Sequence, residues 1–298
     1  MPGNKFEYRI MKKEFRMNKF LPLLSVGIAF LSSCSTPPSP GSRPLKIAVN
    51  DIYCMDTACS CVHDVAARTY PQLLEKLKAN YGIDLQLVYF SETYQLEDAI
   101  ASGEYDGALC KPWYALRHQK EAGANFQRIV DVLDPNNNRW LTGIVVVPAD
   151  SPIQTLEDLT GKHLYIGQAD AYEKHQAAKR LLEQKGIRPG KVDTNASCGE
   201  NVGVLLDEEA DAAVLSDYAL SADCAVDFAR PEDFRILART EQIPLTSLML
   251  DMNKIEEAEA DRLQRALLAL SGKNAPETLL GNGFVEPAPW NPPELEAP

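Results

Sequence analysis

Gly143-Ile-Val-Val-Val-Pro-Ala-Asp-Ser-Pro-Ile-Gln-Thr-Leu-Glu-Asp-Leu-Thr-Gly161 decides how the chain is read. Its β-branched run, Ile144–Val147, has the character of a strand buried on both faces and stops at Pro148. Ser151-Pro152 marks a turn, and Thr155-Leu156-Glu157-Asp158-Leu159 predicts a short capped helical turn ending at Gly161. A new strand, His163–Ile166, begins directly afterwards. The stretch therefore reads as the passage from one α/β lobe into a second.

An internal repeat supports two lobes. The first half runs through a strand at Leu45–Asn50, a helical segment closing at Tyr81-Gly82-Ile83, a strand at Leu85–Phe90 and a helix at Leu96–Ser102. A third strand, Asp106–Leu109, follows. The second half repeats that order: strand His163–Ile166, helix Ala171–Lys185 closing at Gly186-Ile187, strand Val192–Ala196, helix Asn201–Asp207 and strand Asp211–Val214. Alternating strands and helices predict mainly parallel sheets flanked by helices. Further on, Phe234–Leu237 and Leu245–Leu250 read as strands, with a second crossing at 239–245, and Glu256–Leu270 as an amphipathic helix.

Val147-Pro148-Ala149-Asp150-Ser151-Pro152-Ile153, the Leu156–Lys162 turn and Asp211-Ala212-Ala213-Val214 carry a family resemblance. The chain resembles a type II periplasmic substrate-binding protein, most closely the phosphate/phosphonate receptors of ABC importers. The resemblance implies a two-lobed fold joined by two crossing strands. It also implies a ligand in the interlobe cleft and an ABC permease as partner. The expected division is 45–146 plus 243–285 for the first lobe, 147–242 for the second, and a frayed proline-rich tail at 286–298.

Residues 1–34 read as a lipoprotein leader and stand apart from the fold. Lys5, Arg9, Lys12, Lys13, Arg16 and Lys19 form a basic region, and Phe20–Leu31 an apolar one too short to span a bilayer. Met17 is an alternative start. Leu31-Ser32-Ser33-Cys34 looks like a bacterial lipobox, which places a lipid on Cys34 and the protein on a membrane face of the cell envelope. Ser35–Pro44 is a proline-rich tether. The whole chain carries −12, and removing the leader makes the rest more acidic still. Such a balance argues against nucleic acid as a partner. About 265 residues remain, enough for two lobes with their own cores in a monomer.

Six cysteines follow Cys34: Cys54, Cys59, Cys61, Cys110, Cys198 and Cys224. Ligands of open α/β sheets bind beyond the carboxyl ends of strands, and all but Cys224 fall in such loops. Three readings stay open. Disulfides could pin the loop after the first strand. Cys54, Cys59 and Cys61, with His63, Cys110 or Cys198 as a further ligand, could hold a soft metal such as Cu(I), Zn(II) or an iron centre. Free, redox-active thiols are the third. No other cofactor is expected.

Lys111, Trp113 and Tyr114 follow the third strand, where the resemblance implies an aromatic ligand contact; Tyr53 fits another such position. At Gly167–Tyr172 the family carries hydroxyls at a helix N-terminus, but this chain has Asp170, Ala171 and Tyr172, with Asp170 read as the helix cap. Cys198 stands where the family often has histidine, and Ser216 or Asp217 where it uses an acid. His118 reads as a surface helix residue and His163 as a strand end, while His175, one helical turn from Tyr172, reads as a solvated residue or one that reaches the cleft. Nothing resembles a nucleophile elbow, a P-loop or a zinc-protease motif, so no catalytic residue is assigned. The resulting expectation is a non-enzymatic, lipid-anchored receptor for a small oxyanion, phosphonate- or phosphate-like, or for a polar metabolite. A thiophilic-metal receptor and a cysteine-dependent enzyme or redox sensor on the same fold are the alternatives.

Overall fold

Short apolar strands separated by glycine-closed helices place residues on both faces of a sheet. In the computed structural model, which describes residues 43–58, 66–221 and 229–292, two such sheets form. The leader with Cys34, and Cys59, Cys61, His63 and Cys224, lie outside the described residues.

The first sheet has six strands, ordered β13-β4-β12-β3-β1-β2. β1 (Leu45–Val49), β2 (Leu85–Tyr89) and β3 (Gly107–Cys110) run parallel. β4 (Phe126–Val132), β12 (Ser247–Asp251) and β13 (Phe284–Val285) join antiparallel to their neighbours. Strand alternation sorts the side chains: Ile47 and Val49 enter one core with Leu77 and Leu267, while Ala48 enters the other with Leu96 and Ile100. α1 (Pro71–Tyr81), closed by left-handed Gly82, and α6 (Glu257–Ala269) contribute to the first core. α2 (Thr93–Ala101) and α3 (Pro112–His118) contribute to the second.

The second sheet has five strands, β10-β6-β9-β7-β8. β7 (His163–Gly167) lies parallel to β8 (Lys191–Asn195) and β9 (Ala212–Ser216). β6 (Gly143–Pro148) lies antiparallel between β9 and β10 (Phe234–Arg239). Ile144 and Val146 face one core, Val145 and Val147 the other. α4 (Gln176–Gln184) and α5 (Cys198–Leu206) cover the faces. The repeat in the sequence is thus a repeat in topology, because β3-β1-β2 and β9-β7-β8 have the same spatial order.

Between the sheets, β5 (Trp140–Leu141) pairs antiparallel with β11 (Ile243–Pro244). The chain therefore crosses before Gly143, and the division expected after residue 146 falls inside β6, whose pairing is all within the second sheet. An unbroken extended run contains no turn to mark the crossing; its partners decide which sheet it joins. The turn at Leu156–Leu159 has the expected capping box between Thr155 and Asp158. The helix expected from Ala171 is split into a 3₁₀ turn, Tyr172–Lys174, and α4, because His175 leaves helical geometry and bonds Gly167 O through Nδ1 at 2.6 Å.

The tail is tied down rather than frayed as far as Trp290. Ala288 N donates to Asp131, Arg128 donates to Ala288 O, and the Arg128 guanidinium lies over the Trp290 ring. His118 is not a surface residue either. It is buried beside Glu97, which holds its imidazolium above the usual range despite the opposing effect of burial.

Candidate functional site

The carboxyl ends of the parallel strands in both sheets border one cavity of about 370 Å³. Asn50, Thr57, Thr93, Lys111 and Tyr114 approach it from the first sheet; Asp170, Glu173, Lys174, Ser197 and Cys198 approach it from the second. Two larger surface grooves, of about 630 and 790 Å³, lie away from these strand ends, one lined by the first repeat's sheet and one by the second's, whereas this cavity draws on both.

Its centre is Glu173, a fully buried carboxylate in the 3₁₀ turn after β7. Oε1 accepts from Lys111 Nζ at 3.0 Å and from Ser216 Oγ at 2.8 Å. Oε2 is buried without a hydrogen-bond partner. Burial alone would raise the Glu173 pKa, but the Lys111 and Lys174 ammonium groups and the Ser216 hydroxyl outweigh it and hold the carboxyl below its ordinary value. Glu173 therefore stays ionised at neutral pH.

Among the described residues, several contacts span the two sets of loops. Lys111 meets Glu173, Thr93 Oγ1 donates to Asp170 Oδ2 at 2.7 Å, and the Trp113 and Tyr172 rings lie 4.7 Å apart. On the second side, α5 begins at Ser197, whose hydroxyl accepts from Glu200 N while Glu200 reaches back, a reciprocal capping box. Lys174 Nζ lies 3.7 Å from Cys198 Sγ, and Ser216 N donates to the same sulfur at 3.4 Å.

Of the residues read from the sequence, Lys111, Tyr114, Asp170, Ala171 and Cys198 border the cavity. Trp113 and Tyr172 pack behind it, and Ser216 reaches it through Glu173. Asp217 turns to Thr142 Oγ1 at 2.9 Å, and burial raises its pKa. Asp170 does not cap the helix; Ala171 holds the cap position, and the Asp170 carboxylate is taken by Thr93. His175 is half-buried against Gly167, while His163 opens β7 with its ring bonded to Asp193.

Tyr53, Cys54 and Cys110 do not border the cavity. Burial pushes the Tyr53 hydroxyl up to about 12. Cys54 is enclosed in the α1 core and Cys110 in the opposite one, so burial raises their thiols to about 11 and about 12. These two and Cys198 are free thiols in separate cores, which corrects the expectation of disulfides at these positions and of sulfur gathered at the cleft. A cysteine at a strand's carboxyl end still follows the pleat, and the register of β3 turns Cys110 inward. Among the described residues no three His, Cys, Asp or Glu side chains are grouped to hold a metal; Cys59, Cys61 and His63 of the expected soft-metal set lie outside them. Glu173 and Lys174 escaped sequence reasoning because a charged pair in an amphipathic helix looks like its solvated face. The one available signal is their position just beyond a strand end.

The sequence profile of the family described as ABC transporter, phosphonate, periplasmic substrate-binding protein matches residues 62–289. The chain belongs to that family. Members are transport receptors and not enzymes, and membership places the protein in the periplasm or cell envelope. Solved structures agree in fold. XAC2383 from Xanthomonas citri, bound to ATP, is 17% identical with a TM-score of 0.62, over 83% of this chain and 92% of that one. PhnD1 from Prochlorococcus marinus, in complex with methylphosphonate, is 12% identical with a TM-score of 0.57, over 82% and 92%. The binding protein PA3383 of an ABC phosphonate transporter from Pseudomonas aeruginosa is 12% identical with a TM-score of 0.56, over 83% and 82%. No curated protein matches the chain. No helix among the described residues is long and apolar enough to cross a membrane.

Proposed function

We propose that this receptor captures a small polar solute between its lobes, closes about β5 and β11, and hands the solute to an ABC permease while a lipid on Cys34 holds it to the membrane. The observation that carries the reading is the pair formed by half-buried Lys111 and fully buried Glu173, joining the two repeats at a cavity of about 370 Å³. Small-ligand sites are concave, a few hundred Å³ in volume, and placed where domains meet. A solute touching both lobes favours their closed arrangement by its differential affinity for it.

Of the two ligand classes the sequence admits, the geometry favours the polar metabolite over the simple oxyanion. Glu92, Asp170 and Glu173 set three carboxylates against Lys111 and Lys174. A lobe-joining carboxylate already occupies Lys111. A soft metal at the cysteines is not favoured, since Cys54, Cys110 and Cys198 sit in different cores.

Native mass spectrometry of the protein isolated from its envelope tests the capture. A non-covalent small molecule in stoichiometric amount is expected, and stripping it should expand the particle in small-angle scattering. A ligand-free protein whose dimensions respond to no solute contradicts the reading. Cys34→Ala should release the protein from the membrane fraction; continued membrane association would refute the lipid anchor.

A further inference from the structure

We propose that Glu173 determines the ligand class, so that the cleft takes a small solute bearing a protonated nitrogen and rejects a bare oxyanion. This rests on the cleft being the solute site. Backbone packing keeps Glu173 in place. Its carbonyl oxygen lies where a side chain on Gly143 would be, 2.1 Å from an ideal Cβ, and Thr240 Oγ1 donates to it at 3.2 Å. The Glu173 backbone therefore cannot shift without disturbing β6, and Lys111 and Ser216 hold the carboxylate that it carries.

One of its oxygens is fully used and the other is not. Oε1 has Lys111 and Ser216, whereas Oε2 is buried without a partner. An ionised oxygen left so costs more than a neutral polar group, and a donor arriving with the ligand removes that cost. Charge points the same way. The groups facing Glu173 are Lys111 from the start of α3, Lys174 beside it on the same turn, and Ser216 from β9. Asp170 and Glu92 border the same cavity. With three carboxylates and two ammonium groups, a divalent oxyanion adds like charge at short range, while an ammonium balances the count and completes Oε2.

Matched pairs test this on the full chain after denaturation and refolding to strip bound solute: β-alanine against propionate, taurine against ethanesulfonate, and 2-aminoethylphosphonate against ethylphosphonate, with inorganic phosphate alongside. Calorimetry should show the amine member of at least one pair binding about tenfold or more tightly than its deaminated partner, as a charged hydrogen bond implies. Glu173→Gln should abolish that preference while circular dichroism stays unchanged. Should Glu173→Gln not fold, the wild-type pairs decide alone. Equal binding within the pairs, tight binding of phosphate or ethylphosphonate, or a preference that survives Glu173→Gln overturns the proposal and leaves the receptor reading standing. If every pair is silent, the copurifying solute decides: one with a protonatable nitrogen supports the proposal, and one without overturns it. A silent panel and no copurifying solute overturn both readings.

Discussion

Two buried carboxylates, Asp51 and Glu173, each face a cation, and they differ in what is left over. Asp51 lies within the first lobe. Its Oδ2 accepts from Arg68 Nη1 at 2.8 Å and from the Tyr70 hydroxyl at 2.7 Å, while Tyr53 N donates to Oδ1. The remaining Arg68 nitrogens donate to Leu279 O and Leu133 O. Every strong group has a partner, and the cluster ties the loop after β1 to distant chain segments. Glu173 instead joins two lobes and keeps one oxygen unpaired beside a cavity. A closed polar network anchors a structure; an open one at a lobe junction is prepared for something else.

The sharpest way to break this contrast is Arg68→Met. It leaves Asp51 charged and uncompensated in a dry core and should cost about 3–5 kcal/mol in urea unfolding. A loss under about 1 kcal/mol would remove the anchoring role. Glu173→Gln should cost less, about 1.5–3 kcal/mol, since it weakens two charged hydrogen bonds without stranding an unpaired carboxylate. Its pH signature is distinct. With its folded pKa held below the ordinary 4.5, the Glu173 contribution is present above that value and disappears as pH falls through the folded pKa. The stability difference between wild type and Glu173→Gln should therefore shrink on acidification; a constant difference would deny the depressed pKa.

Gly143→Ala forces a Cβ onto Glu173 O and should cost about 1–3 kcal/mol by overpacking, with solute affinity falling alongside. Unchanged affinity would mean that the position of Glu173 is immaterial. The smallest effect belongs to Ser197→Ala, which removes the α5 cap and should cost about 1 kcal/mol. Thermal unfolding with no change would show that Glu200 alone secures that end.

Local chemistry made the two-lobed plan legible. Pro148, Gly161 and the Thr155–Asp158 turn punctuate the chain where the structure does, and the strand–helix repeat survives as matching strand orders. Non-local pairing was hidden. Nothing within Ile144–Val147 says that its neighbours are β9 and β10, and nothing around Ala288 and Trp290 announces Asp131 and Arg128. The site was half visible. Lys111, Tyr114 and Cys198 follow from strand-end placement, while Cys54 and Cys110 show that such placement says nothing about which way a side chain points. Glu173 needed the break at His175, a tertiary event that swings the residue out of a regular helix.

If solute binds in the cavity between the two repeats, Ala196→Trp should abolish binding. Ala196 is exposed and borders the cavity, so an indole there fills the space without entering a core. Calorimetric titration of the stripped variant with the solute recovered from the wild type should show no binding, while circular dichroism and thermal unfolding match the wild type. Binding at wild-type affinity by a folded Ala196→Trp protein would place the solute outside this cavity.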